Sequence, residues 1–492
     1  MNTQENSSNQ IQPQEPTLKE KTAKGLFWGG ISTFMQQFIG AVFGIVIARI
    51  LSPDDYGLIA MLAIFTALAN TIMDSGFSIA LINRETIVHK DYNAVFWFNI
   101  FAGIGIYIIL FFLAPLIAQF YNQPVLTNLS RIVFLSFVFA GAGIAHNAFL
   151  LKKIMAKQRG IIDMVSVLCS GIIGLILALK GFAFWGLAIQ QVSQTVIAVL
   201  LRWYFSSWKP TIQFDFTPLK EMFGFSIKLF ITNVFAQITS NLFSAVLGKL
   251  YGKTETGYYA QGNKWAGMSN AVITGTINSI AQPVLVEAKS DIKRQLNVFR
   301  KMIRFGAFIT FPSLLGLAFV SKEFLLITVG EKWIDSVIYM QLFCIWGING
   351  YLSSLYIMLI LSHEKSAIYM NVMVVLFLTQ LISLFICSPY GALLMACVYV
   401  GLYLLSTFAW QWYAQRLIGL RIKDVIMDLF PYIAATIIAI GIAWLFSMKI
   451  DNIYLKFIVK VLSTTIVYCS ILWRANSVIF KESLHFLLRR KI

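Results

Sequence analysis

The sequence predicts an all-α integral membrane protein: about fourteen transmembrane helices in two six-helix lobes, followed by a C-terminal helix pair. Composition, the length of the apolar runs and the alternation of basic residues predict it. Of 492 residues, 58% are hydrophobic and only 12% are charged, and the mean hydropathy is +0.73. A soluble domain carries about a quarter charged residues, so halving that share moves the chain into the membrane class.

A membrane helix needs about 20 mostly apolar residues. Such runs lie near 25–51, 56–82, 93–120, 125–151, 161–180, 183–205, 219–250, 256–287, 302–321, 333–361, 366–387, 390–415, 427–447 and 452–473. Lipid offers backbone groups no partner, so each run closes its hydrogen bonds internally as a helix. Barrel strands would be shorter and would alternate. The first 24 residues are polar, and the run from Gly25 is too long for a signal segment, so it reads as a retained helix.

The net charge of +17 is spread in short clusters between the runs, as topology signals and not as a nucleic-acid surface. Lys19, Lys21 and Lys24 precede the first run. Arg84 and Lys90 follow the second, and Lys152, Lys153, Lys157 and Arg159 the fourth. The pattern continues through Arg202 and Lys209, Lys289 to Arg304, Lys365, Arg416 to Lys423, and Arg474 to Lys491. About 27 of the 39 basic residues fall on one side, which predicts cytoplasmic termini. The predicted units are a polar cytoplasmic tail (1–24), an N-lobe (25–205), a C-lobe (219–417), a helix pair (425–474) and a basic cytoplasmic tail (475–492). Connections are short, and 288–301 reads as an amphipathic surface helix. Five cysteines, an odd number, sit in apolar runs, which argues against disulfides and a zinc site.

An internal repeat supports the two lobes. Ala48-Arg49-Ile50 and Tyr56-Gly57-Leu58-Ile59-Ala60 match Gly248-Lys249-Leu250 and Thr256-Gly257-Tyr258-Tyr259-Ala260 at an offset of 200. Gln37 meets Gln237, Phe43 meets Phe243, and Asn70 meets Asn270 at the same offset. Six helices is an even number, so both copies point the same way, related by an axis along the membrane normal.

The turn Ala48-Arg49-Ile50-Leu51-Ser52-Pro53-Asp54-Asp55-Tyr56-Gly57 resembles that of bacterial polysaccharide exporters. Phe311-Pro312, Gly316-Leu317 and Gly330-Glu331-Lys332-Trp333 resemble their second pattern, and Gly257-Tyr258-Tyr259-Ala260 is similar too. The likeness runs from about Leu18 to the last helix. It points to the polysaccharide transport family, with its O-antigen flippases, of the multidrug/oligosaccharidyl-lipid/polysaccharide exporter superfamily. The resemblance implies two lobes in a V around a central cavity, in a bacterial inner membrane. It implies flipping of undecaprenyl-diphosphate-linked oligosaccharide for lipopolysaccharide, O-antigen or exopolysaccharide synthesis. Membrane lipids, a polysaccharide polymerase and assembly proteins are the partners it suggests.

A charge held in mid-bilayer costs about 2.5–3.5 kcal/mol, so one that stays is expected to face a cavity or a partner. Lys228 and Lys264 are expected to line a cavity and attract a diphosphate. Asp74 is the candidate for H+ or Na+ coupling, with no other cofactor expected. Arg49, at the end of the first helix, is the gate candidate, with snorkelling as the competing role. Gln37, Asn233, Gln237, Asn241, Asn263 and Asn270 are amides suited to sugar hydroxyls, with interhelical bonding as the alternative. Asn233, Gln237 and Asn241 share one helix face. Pro53 and Gly57 read as turn residues, Gly330 and Trp333 as a helix break and an interfacial anchor, and His146 as a packed core residue. No phosphate-binding GxxxxGK[ST] loop occurs, and the histidines at 89, 146, 363 and 485 are scattered. These features favour a carrier over an enzyme. A drug exporter of the same superfamily is the alternative, and a membrane polymerase or ligase would need a large outer loop.

Overall fold

The computed structural model describes residues 18–74, 81, 84, 87–215 and 217–482. Among them every regular element is a helix. The first group is α1 (Leu18–Ile50), α2 (Pro53–Met61), α3 (Ala63–Asp74), α4 (His89–Tyr121), α5 (Leu126–Lys152), α6 (Ala156–Leu179) and α7 (Phe184–Phe205). The second is α8 (Thr217–Glu287), α9 (Ile292–Thr328), α10 (Ser336–Ser362), α11 (Ser366–Cys387) and α12 (Ala392–Ile418). Then come α13 (Ile422–Ser447) and α14 (Ile453–Arg474). Among the described residues twelve segments are long and apolar enough to cross a bilayer, α2 and α3 together forming one.

α8 supplies two more arms, so the total is compatible with about fourteen. Gly252 divides it, with φ +81° and ψ −172°, a conformation open to glycine and strained for other residues. The chain doubles back there, and the Phe243 and Tyr259 rings on the two arms lie 5.1 Å apart. The matching turn between α1 and α2 is built differently. Ser52 caps α2 by accepting from the Asp55 amide, Asp55 Oδ2 accepts from the Ser52 amide at 2.9 Å, and Pro53 begins the helix. Such a cap contributes about 1 kcal/mol.

α1 packs on α6, α4 on α5, and α7 on both α5 and α6. In the second lobe α10 packs against α8, α9 and α12, and α11 lies along α12. α13 and α14 pack together and fasten to α9. At one end Arg300 binds Asp428 through two nitrogens, at 2.7 and 3.1 Å. Towards the other, Lys460 Nζ meets Glu323 Oε1 at 2.7 Å with both side chains under a tenth exposed. Removing one partner of such a buried pair costs about 3–5 kcal/mol.

The segment joining the lobes is strapped to α4. Asn93 donates to the Gln213 carbonyl at 2.6 Å and accepts from the Thr211 amide at 2.9 Å. Trp97 Nε1 donates to the Thr211 carbonyl at 2.8 Å, and Lys90 pairs with Asp215 at 2.7 Å. That lysine's hydrogen bond holds the Asp215 carboxyl well below the usual carboxylate range.

The first helix extends back to Leu18, ahead of the apolar run that begins at Gly25. Two expectations need correction. Residues 288–301 are not a separate surface helix: Asp291 caps α9, which runs unbroken for 37 residues, with Gln295 and Phe299 buried. Trp333 is fully buried and is therefore not an interfacial anchor.

Candidate functional site at the lobe interface

The two lobes meet where the α1–α2 turn faces the bend of α8, here called the turn end. Gly57 and Gly257 are the crossing point. A Cβ on Gly57 would lie 1.8 Å from the Lys253 carbonyl oxygen, and one on Gly257 would lie 1.9 Å from that of Pro53. Pro53 and Lys253 are themselves 200 residues apart, so the contact is reciprocal. The backbones approach this closely because neither position carries a side chain. The repeat axis therefore passes through this crossing.

The flanking cations repeat the reciprocity. Arg49 of α1 reaches across to the C-terminus of α9, donating from Nε to the Thr328 carbonyl at 2.6 Å and from Nη2 to that of Ile327. Lys249 of α8 reaches the other way, donating to the Phe120 carbonyl at the C-terminus of α4 with its ammonium 5.0 Å from the Phe120 ring. The last carbonyls of a helix lack intrahelical donors and carry partial negative charge, so a cation satisfies them. Arg49 thus bridges the two lobes through the last carbonyls of α9.

Further bonds close the same end. Trp333 Nε1 donates to the Ala48 carbonyl and Lys332 to the Arg49 carbonyl, both at 2.9 Å. The Trp333 ring meets Tyr56 edge-on at 5.2 Å. Asp54 takes Lys253 at 3.0 Å and the Thr254 hydroxyl at 2.6 Å. Ser244 donates to the Ala60 carbonyl at 3.2 Å. Partial burial pushes the Lys332 ammonium below its ordinary value.

Lys264 lies seven residues past Gly257, about 10 Å along the helix. Its ammonium rests against Gly44 of α1, 5.8 Å from the Tyr56 ring and 5.3 Å from that of Trp265. Among the described residues no carboxylate pairs with it. One turn on, Met268 meets Gly40. Gln37, Gly40 and Gly44 share a face of α1, so Gln37 belongs to the stripe that opposes Lys264.

The other candidates are dispersed. Asn241 donates back to the Gln237 carbonyl at 3.0 Å and to Ser240 Oγ at 3.2 Å. Asn233, Gln237 and Asn263 are partly exposed. Asn270 turns into the second lobe against Gly347 and Gly350 of α10. The side chains of Asp74 and Lys228 lie outside the described residues. His146 is fully buried in a box of Phe96, Trp203 and Trp208. Sequence reasoning missed Asp163 of α6, which sits within electrostatic reach of Arg202 and Arg159 and beside Gln36. It read those arginines only as topology signals.

The sequence and fold have clear relatives. Residues 46–338 match the family described as polysaccharide biosynthesis protein. The chain is 27% identical over 338 residues to the lipopolysaccharide biosynthesis protein WzxC of Escherichia coli K12, covering 68% of each chain. It is 25% identical to the teichuronic acid biosynthesis protein TuaB of Bacillus subtilis 168, covering 68% of this chain and 69% of that one. The lipid II flippase MurJ, in an inward closed conformation, superposes with a TM-score of 0.73 at 16% identity, over 93% of this chain and all of that one. An inward-facing MATE-family multidrug transporter of the MOP superfamily superposes with a TM-score of 0.63 at 10% identity, over 78% of this chain and 94% of that one. The match covers more than half the sequence and agrees with the resemblance its turns carry: this multi-span membrane chain belongs to the polysaccharide biosynthesis protein family and has the MurJ and MATE fold.

Proposed function

We propose that the protein flips lipid-linked oligosaccharide, carried on undecaprenyl diphosphate, from the cytoplasmic to the periplasmic leaflet by alternating access. The observation that carries this reading is the reciprocal seal: two repeats cross at Gly57 and Gly257, and beneath the crossing lies Lys264, with no carboxylate partner among the described residues. A carrier needs one end shut while the other admits substrate, and a two-lobed repeat supplies both states by rocking one lobe against the other around the central site. The names of the relatives, WzxC and TuaB among them, support a polysaccharide cargo.

In this reading the turn end faces the periplasm, because the basic clusters lie at the other end. Both termini then lie in the cytoplasm of a bacterial cell, and the protein sits in its inner membrane. Lys264, with Gln37 farther along the facing stripe of α1, receives the diphosphate or an acidic sugar. Asp74 couples the cycle to H+ or Na+. A polymerase that consumes the flipped unit is the natural partner. The test is transbilayer movement of a fluorescent lipid-linked oligosaccharide in liposomes holding the purified protein. Movement faster than in empty liposomes supports the reading. A rate equal to that of empty liposomes, with correctly folded protein, overturns it.

A further inference from the structure

A cavity of about 480 Å³ opens at the turn end of the second lobe. Small-ligand sites span about 300–1,000 Å³. Glu255 of α8, Lys322 of α9 and Asp335, just before α10, line it together with Tyr339, Ile338 and Leu393. Charges of both signs share the cavity, yet among the described residues Lys322 forms no ion pair with either acid. The Tyr339 hydroxyl donates to Glu255 Oε1, and Asp335 lies beside the Tyr258 phenol. Opposite charges held apart across one cavity suit a ligand that carries both.

The depth and the outer wall narrow the class. α10 and α12 each begin here and run 27 residues, about 40 Å at 1.5 Å per residue against a hydrocarbon core of about 30 Å. Their first turns therefore project into the headgroup layer. Ile338 and Leu393 belong to those first turns and are 39% and 46% exposed, at the level where a lipid's glycerol backbone joins its chains.

We propose that this cavity binds the headgroup of a membrane lipid bearing phosphoethanolamine. Its ammonium sits between Glu255 and Asp335, its phosphate meets Lys322, and its chains run along Ile338 and Leu393. An anionic headgroup would face two carboxylates against one lysine. A quaternary ammonium would offer the carboxylates no N–H donor.

The test is native mass spectrometry of the purified full-length protein with equal amounts of phosphatidylethanolamine, phosphatidylglycerol and phosphatidylcholine. Phosphatidylethanolamine is retained over each competitor by about tenfold, the scale of one charge-assisted contact. Lys322→Ala and Asp335→Asn each remove most of that preference. Both side chains are exposed, so the melting temperature stays at its original value, and either variant alone decides. Equal retention of the three lipids overturns the proposal, as does a preference that persists in either variant.

Discussion

Arg49 and Lys249 occupy equivalent places in the two repeats and do the same work by unequal means. Arg49 satisfies two carbonyls of α9, and Lys332 and Trp333 donate back to α1 beside it. Lys249 satisfies a single carbonyl of α4 and leans on an aromatic ring. Between them the crossing of Gly57 and Gly257 is nearly symmetric. Backbone approach has thus been kept in both copies while the side-chain bonds have diverged. The symmetric part sets where the lobes touch. The asymmetric part puts more bonds on the α1–α9 side, which is then expected to be the harder one to open.

The symmetric part gives the largest predicted effect. Gly57→Val and Gly257→Val each drive a side chain into a backbone carbonyl that cannot step aside, an overpacking cost of about 2–3 kcal/mol. Flipping in liposomes is expected to fall about a hundredfold in both. A loss at one glycine alone would show that the crossing is not reciprocal.

Next is the lysine beneath the seal. Lys264→Met is expected to slow flipping about tenfold while leaving the melting temperature equal or higher, because a desolvated, unpaired charge costs stability. Lys264→Arg, which keeps the charge, should retain more activity than Lys264→Met. A destabilised Lys264→Met protein with unchanged flipping would assign the lysine a structural role.

The two latches come third. With a single cysteine at Ala41, beneath the crossing, Arg49→Ala is expected to raise labelling by an impermeant thiol reagent about fivefold and Lys249→Ala about twofold. Equal increases would remove the asymmetry.

The smallest effect lies at the opposite end. His363 Nε2 meets Gln295 Oε1 at 3.0 Å, and burial together with Lys289 and Lys365 pushes its pKa below the ordinary histidine value. The neutral form is favoured in the folded protein. Its contribution is therefore complete above pH of about 6.5 and is lost as pH falls from there through the lower pKa of the folded state. The melting temperature should drop more between pH 7 and pH 5 in the original protein than in His363→Gln.

Much of the fold was legible because lipid removes most alternatives: apolar length and basic alternation give helices and their order. The repeat was legible at Arg49 and Lys249 because turns keep their glycines and flanking cations. The site was less so. Asn241 and Asn270 look identical in sequence, yet one bonds its own helix and the other packs on α10. Helix rotation decides that, and spacing alone carries no rotation. Trp333 read as an anchor because its partner, the Ala48 carbonyl, lies 285 residues away. Lys460 and Glu323 were missed for a similar reason: they pair across 137 residues.

Cross-linking across the seal tests the account most directly. In a chain freed of its five cysteines, Asp54→Cys and Lys253→Cys stand where an ion pair now joins the lobes at 3.0 Å. Oxidation should stop the flipping of lipid-linked oligosaccharide in liposomes, and reduction should restore it. Full flipping by the oxidised, fully cross-linked protein would contradict the claim that the lobes must part at this end.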